Sequence, residues 1–284
     1  MNENSNNPTE DNTVNEEKTL NNGNATTPKT RAAVDLGNGS VHRLLLKLAV
    51  PTVISQLVNL LYNIVDRVYI GHIPSEGVLA LTGLGLCMPI LMIVTACSSL
   101  IGTGGAPRAA IFMGRGDNEQ AEHILGNCFK MLIILALLLT VGVEAFAVPL
   151  LKLFGASSDT LPYALSYLRI YAVGTICVMI SLGLNSFITT QGATSVSMKT
   201  VLIGAVINII LDPILIFGFD MGVSGAALAT IISQFVSAVW VLKYLTGSKT
   251  QLKLKLSNTK LDKAIVLPVL ALGVAPFIMS STES

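Results

Sequence analysis

The stretch "QLVNLLYNIVD", residues 56–66, decides the fold, because it is apolar enough for a membrane yet carries four polar side chains and ends on an aspartate. Thr52, Gln56, Asn59, Asn63 and Asp66 follow one another at steps of four, three, four and three, so a helix lays all five along one stripe. The stripe predicts a helix whose polar edge faces something other than lipid.

The rest of the chain agrees with a membrane setting. Of its 284 residues 51% are hydrophobic and only 12% charged, a balance that points to a polytopic membrane protein. Runs of the roughly 20 apolar residues that a bilayer crossing needs occur near 44–70, 77–102, 123–150, 161–189, 195–217 and 223–246, and a seventh begins near Ala264. Short connections with turn residues separate them: "GHIPSEG", "MGRGDNEQ", "FGASSDTLP", "TTQGATS" and "GFDMG". Backbone groups in hydrocarbon must bond within their own segment, so each crossing is a helix and the fold class is all-α. The expected organisation is a tail over 1–40, a six-helix lobe over 41–247, a basic linker over 248–263 and the start of a seventh helix over 264–284.

The tail is rich in Asn, Thr and Glu and poor in large apolar residues, a composition that predicts disorder, and it holds no run of signal-peptide type. A net charge of +1 gives no reason to expect nucleic acid as a partner. Cys87, Cys97, Cys128 and Cys177 stand singly in apolar segments, which predicts buried thiols without disulfides or metal. No nucleophile–base arrangement stands out, "GTGGAP" lacks the Lys-Ser/Thr of a phosphate loop, and an enzyme is not expected.

Basic residues orient the spans. Arg108, Arg115, Lys199 and the six lysines from Lys243 to Lys263 belong to the even-numbered connections, whereas the odd ones offer only Arg67 and Lys152. The positive-inside rule then puts the amino terminus in the cytoplasm. The basic stretch "KYLTGSKTQLKLKLSNTKLDK" reads as a connector at the membrane interface, although anionic lipid is a possible ligand for it.

Three carboxylates fall inside the spans: Asp66, Glu144 and Asp212. A charge facing lipid at mid-bilayer costs about 3 kcal/mol or more, so each should face a cavity or a partner. Asp66 fits either an ion pair with Arg67 at the membrane edge or a buried site, and Glu144 fits the interface. Asp212 lies in "GAVINIILDPILIFG", with Asn208 one turn earlier and Pro213 next, where a local break in helical bonding is expected. Carboxylate and amide oxygens there suit a hard cation, or the carboxylate suits a proton. Thr230 and Gln234 add oxygens on the sixth span after the small-residue run "GVSGAALAT".

The chain closes on "LALGVAPFIMSSTES", in which Leu270, Leu272, Val274 and Ile278 repeat Leu46, Leu48, Val50 and Ile54 at an offset of 224. This reads as a second repeat that starts and is cut off.

"LYNIVDRVYIGH", "AEHILGNCFKMLI", "LKLFGASSDTLPYALSYLRIY", "INIILDPILIFGFDMGVSGAALATIISQ" and "GVAPFIMSSTES" together resemble the multidrug and toxic compound extrusion (MATE) family, in its bacterial branch. The resemblance implies half of a twelve-helix fold, a bacterial cell membrane, and a multidrug efflux antiporter that exchanges H⁺ or Na⁺ for small cationic amphipathic drugs, with no other cofactor. It implies that Asp66, Asn208, Asp212 and Thr230 hold the coupling ion, that Tyr167 and Asn185 belong to a wider network, and that Gln56, Asn59, Asn63 and Gln234 line the network or cavity. The second lobe is expected to be missing, which leaves a fragment of a longer product, a degraded gene or a half-transporter that dimerises, the fragment being favoured. The alternatives are a lipid-linked oligosaccharide flippase, which would need central basic residues for pyrophosphate, and a membrane module that transports nothing.

Overall fold

The computed structural model describes residues 41–74 and 76–282, so the expected disordered tail over 1–40 lies outside the described residues. Among the described residues seven α-helices follow one another: α1 Val41–Gly71, α2 Gly77–Gly114, α3 Asn118–Leu153, α4 Leu161–Thr190, α5 Thr194–Pro213, α6 Gly222–Thr246 and α7 Lys263–Thr282. All seven are long and apolar enough to cross a membrane, α5 together with the π-helical turn Ile214–Gly218 that continues it. The chain is an all-α, multi-pass membrane protein.

Local chemistry sets the helix ends. Asp117 caps α3 by accepting from the Gln120 amide at 3.0 Å, and Pro162 occupies the first turn of α4, where a missing N–H costs nothing. Gly116 and Gly192 end α2 and α4 with positive φ, +81° and +76°, letting the next amide turn back onto Phe112 and Ile188 respectively.

α4 is the centre of the bundle, in contact with α2, α3, α5 and α6, whereas α1 leans mainly on α5 and α7 on α2. The α2–α3 and α4–α5 turns, the start of α1 and the α6–α7 linker share one end, called the basic end below. Thr194 at the start of α5 reaches the Lys47 carbonyl of α1 there, at 3.5 Å.

The largest departure from the expected boundaries is in α2. α2 does not stop near 102 but runs on to Gly114, through Gly102, Gly104, Gly105 and Pro107. Glycine costs a free helix about 1 kcal/mol per residue, but here each glycine admits a neighbour. Gly102 lies on the α4 backbone at Gly183, Gly104 on α7 at Val269, and Gly105 on the Cys128 sulfur and Phe187 ring. Tight packing offsets weak propensity, and a segment that resembles a loop in sequence is helix.

Candidate functional site

Asp66 lies near the end of α1, five residues before Gly71, and Asp212 lies one residue before Pro213. Proline offers no N–H and its ring crowds the preceding turn, and the chain responds with the π-helical turn Ile214–Gly218, in which the Phe219 amide reaches the Ile214 carbonyl at 2.9 Å. The expected local break is therefore present beside Asp212.

α1 leans on α5, which sets Asp66 near Asp212, close enough for the two carboxylates to act on one another. Asn208, one turn before Asp212, donates to Asp212 Oδ1 at 3.2 Å and to Thr230 Oγ1 of α6 at 3.4 Å. Asp212 is fully buried, and Asp66, Asn208 and Thr230 are buried beside it. Three oxygens in this cluster, Asp66 Oδ1, Asn208 Oδ1 and Asp212 Oδ2, are sealed from solvent with no hydrogen-bonding partner among the described residues.

Tyrosines close the cluster. Tyr167 of α4 lies beside Thr230 and feels the charge of Asp66, and its ring stacks on Tyr171 at 6.2 Å between centroids. Tyr62 stands one turn before Asp66 on α1, partly buried. Sequence reading passed over Tyr62 and Tyr171, although each stands four residues from a cluster member on its own helix, the spacing that would have found them.

The remaining candidates scatter. Asn185 is on α4 with Tyr167 but eighteen residues on, which at the α-helical rise is roughly 27 Å away, toward the basic end. Gln234 follows Thr230 by one turn on α6, with a buried Oε1 that has no partner among the described residues. Gln56, Asn59 and Asn63 line an open groove with Leu60, Ile64 and Arg67, and Asn63 bonds back to the Asn59 carbonyl at 2.7 Å. The polar stripe thus divides: Thr52, Gln56 and Asn59 stay at least partly exposed, Asn63 is half-buried, and only Asp66 enters the buried cluster.

Arg67 is exposed, with its guanidinium 3.8 Å from the Met88 sulfur, and among the described residues no ion pair within 4 Å joins it to Asp66, although its charge still acts on that carboxylate. Glu144 pairs instead with Arg169 of α4 at 3.9 Å, both side chains partly exposed. Arg169, which the loop charges do not include, lies eight residues inside α4 from the end opposite the basic one.

Thr230→Val tests the cluster's internal bonding. The substitution keeps side-chain shape but leaves the Asn208 amide with one partner fewer, and an unmade buried bond costs about 1–3 kcal/mol. Thermal unfolding in detergent is expected to come at a lower temperature than in the unaltered chain, and an unchanged midpoint would show that the 3.4 Å contact carries no stability.

The chain is similar to the multidrug export protein MepA of Staphylococcus haemolyticus (strain JCSC1435), 28% identical over 240 residues that make up 84% of this chain and 53% of that protein. Among solved structures it is similar to an outward-facing multidrug resistance MATE family transporter of the MOP superfamily, with a TM-score of 0.79, 24% identity, and coverage of 85% of this chain and 53% of that one. It is also similar to a solved chain described as protein A, with a TM-score of 0.83, 30% identity, and coverage of 90% of this chain and 57% of the other. The chain spans about half the length of the curated relatives it matches. The profile of the MatE family matches residues 51–214, a range that includes both aspartates, and the chain belongs to the MatE family.

Proposed function

We propose that this chain forms the first lobe of a multidrug efflux antiporter, which binds a Na⁺ ion or a proton between Asp66 and Asp212 in exchange for cationic amphipathic drugs. The observation that carries the reading is the set of three partnerless buried oxygens on Asp66, Asn208 and Asp212 among the described residues. Buried acceptors of this kind are expensive unless a cation or proton answers them, and adjoining carboxylates repel one another until one arrives. Thr230 and Tyr167 would orient the ring of oxygens.

Exchange follows from competition. An ion that neutralises the carboxylates removes the charge that attracts a cationic drug, so each ligand lowers the affinity of the other by the same factor. In this reading the basic end faces the cytoplasm of a bacterial cell, the protein is an exporter rather than an enzyme, and a second lobe or a second copy supplies the opposite wall of the drug cavity.

The site can be tested on the lobe alone. A ligand that binds only the folded state stabilises it by RT ln(1 + [L]/Kd), about 2.7 kcal/mol at a hundredfold excess over Kd. Unfolding in detergent is followed while NaCl replaces KCl at fixed pH, and again while pH is lowered at fixed salt. A rise in midpoint with Na⁺ assigns sodium, a rise only on acidification assigns the proton, and no rise in either series defeats the proposal.

A further inference from the structure

The segment between α6 and α7 has the composition of a loose basic connector, but its bonding is that of a fixed part. Gln191, 2% exposed at the end of α4, turns its Oε1 to three donors of this segment: Thr250 Oγ1 at 2.7 Å, the Gln251 amide at 3.0 Å and the Leu252 amide at 3.1 Å. Its own Nε2 donates to the Phe187 carbonyl at 3.1 Å, which fixes the amide plane. Glu122 of α3 accepts from the Lys253 amide at 3.1 Å through Oε1 and pairs with the Lys255 ammonium at 2.6 Å through Oε2.

The alternation in "QLKLKL", residues 251–256, explains the register. Leu252 and Leu254 are buried against the bundle while Lys253 and Lys255 face outward, as period-two spacing of an extended chain requires. At the end of the short 3₁₀ turn Leu256–Asn258, Gly126 of α3 admits the Asn258 backbone, and a Cβ there would sit 2.5 Å from its carbonyl oxygen. Asn127 then accepts from the Asp262 amide at 2.8 Å, and Asp262 in turn caps α7 by accepting from the Ala264 amide at 2.8 Å.

A separate contact holds the first turns of α7. Gly104 and Gly273 let α2 and α7 meet backbone to backbone, at Val269 and Leu100 respectively, and Ile265 and Val269 are buried. Seen from α7, both the chain entering it and the face it presents are fixed to α2, α3 and α4.

We propose that residues 247–262 are a clamp rather than a tether, with Gln191, Glu122 and Asn127 as its positioning residues, and that the clamp makes the base of α7 part of the same rigid body as α2–α4. The carboxylate of Glu122 holds the Lys255 ammonium above its ordinary 10.5, with Glu119 adding to the effect. A raised lysine value means that the bond is complete throughout the neutral range and is lost only as alkaline pH climbs through that raised value.

The test needs no transport activity, so its outcome is separate from that of the antiporter reading. Hydrogen exchange reads the amides of 250–253, and maleimide labelling, located by peptide mass, reads the thiol that Val269→Cys places against α2. The clamp predicts slow exchange and an unreactive thiol in the otherwise unaltered chain. Gln191→Leu, which removes three acceptor contacts, is expected to speed both by about tenfold or more, whereas Gln191→Glu, which keeps the acceptor oxygens and gives up only the donor to the Phe187 carbonyl, is expected to fall between the parent and the leucine variant. Parent amides exchanging at the rate of free chain would overturn the proposal, whether or not the leucine variant folds. So would a freed strap that leaves the thiol introduced at Val269 unreactive, since the strap would then not be what positions α7.

Discussion

Asp212→Asn is expected to abolish drug export while leaving the protein as stable as before, or more so. The side chain is fully buried and held by Asn208 at 3.2 Å, so an amide of the same shape fits the space and is less costly to bury than a carboxylate. On the proposed antiport reading, what it lacks is a charge to trade between ion and drug. Couplings of this kind are worth about 1–3 kcal/mol, or roughly 5- to 150-fold in affinity, and removing one carboxylate of the pair removes the coupling outright. Export is to be measured as efflux of a fluorescent cationic dye from a host stripped of its own exporters, using the longest product read in frame through this sequence. Asp66→Asn should lose the same activity. A variant that exports at the parent rate would show that Asp212 is not the exchange group, and a variant that unfolds would make it a structural residue instead.

The membrane helices were legible because their signal is local. Twenty apolar residues between turn signals mark a crossing whatever surrounds them, and six spans and the start of the seventh follow from that alone. The continuation of α2 was not legible, since the glycines that look like a loop are tolerated only through contacts with α3, α4 and α7, which no window of sequence contains. For the site, helical spacing joined Asn208 to Asp212 and Thr230 to Gln234, but nothing in the chain states that α1 leans on α5 and brings Asp66 to Asp212. Family resemblance supplied that pairing. The same spacing overreached along α1, where five polar residues share a stripe and only the last is carried into the cluster. The clamp was missed because Gln191 sits in a turn sequence, "TTQGATS", where its polarity demands no partner until the fold buries it.

Gly102→Leu is expected to be strongly disruptive, because it strikes where three helices meet without slack. A Cβ at Gly102 of α2 would stand 2.8 Å from the Gly183 carbonyl oxygen and 3.0 Å from the Ser186 hydroxyl of α4. Gly183 cannot yield, since its own open side is filled by Leu132 of α3, whose Cδ2 would lie 2.7 Å from a Cβ built there. The obstacle to a side chain is thus mostly backbone, and α2 and α4 must separate along their shared face to accept one. Overpacking a filled site costs about 1–3 kcal/mol and more when backbones must part. The matched control is Gly85→Leu on the same helix, where nothing lies within 4 Å of the new Cβ and the better helix propensity of leucine is worth roughly 0.8 kcal/mol at most. Both variants add the same apolar bulk to α2, so poor yield and early thermal unfolding in the first but not the second would locate the fault at the α2–α4 crossing. Equal behaviour of the two would mean that this seam is loose enough to open, and that the rigid body to which the clamp ties α7 is softer than its contacts imply.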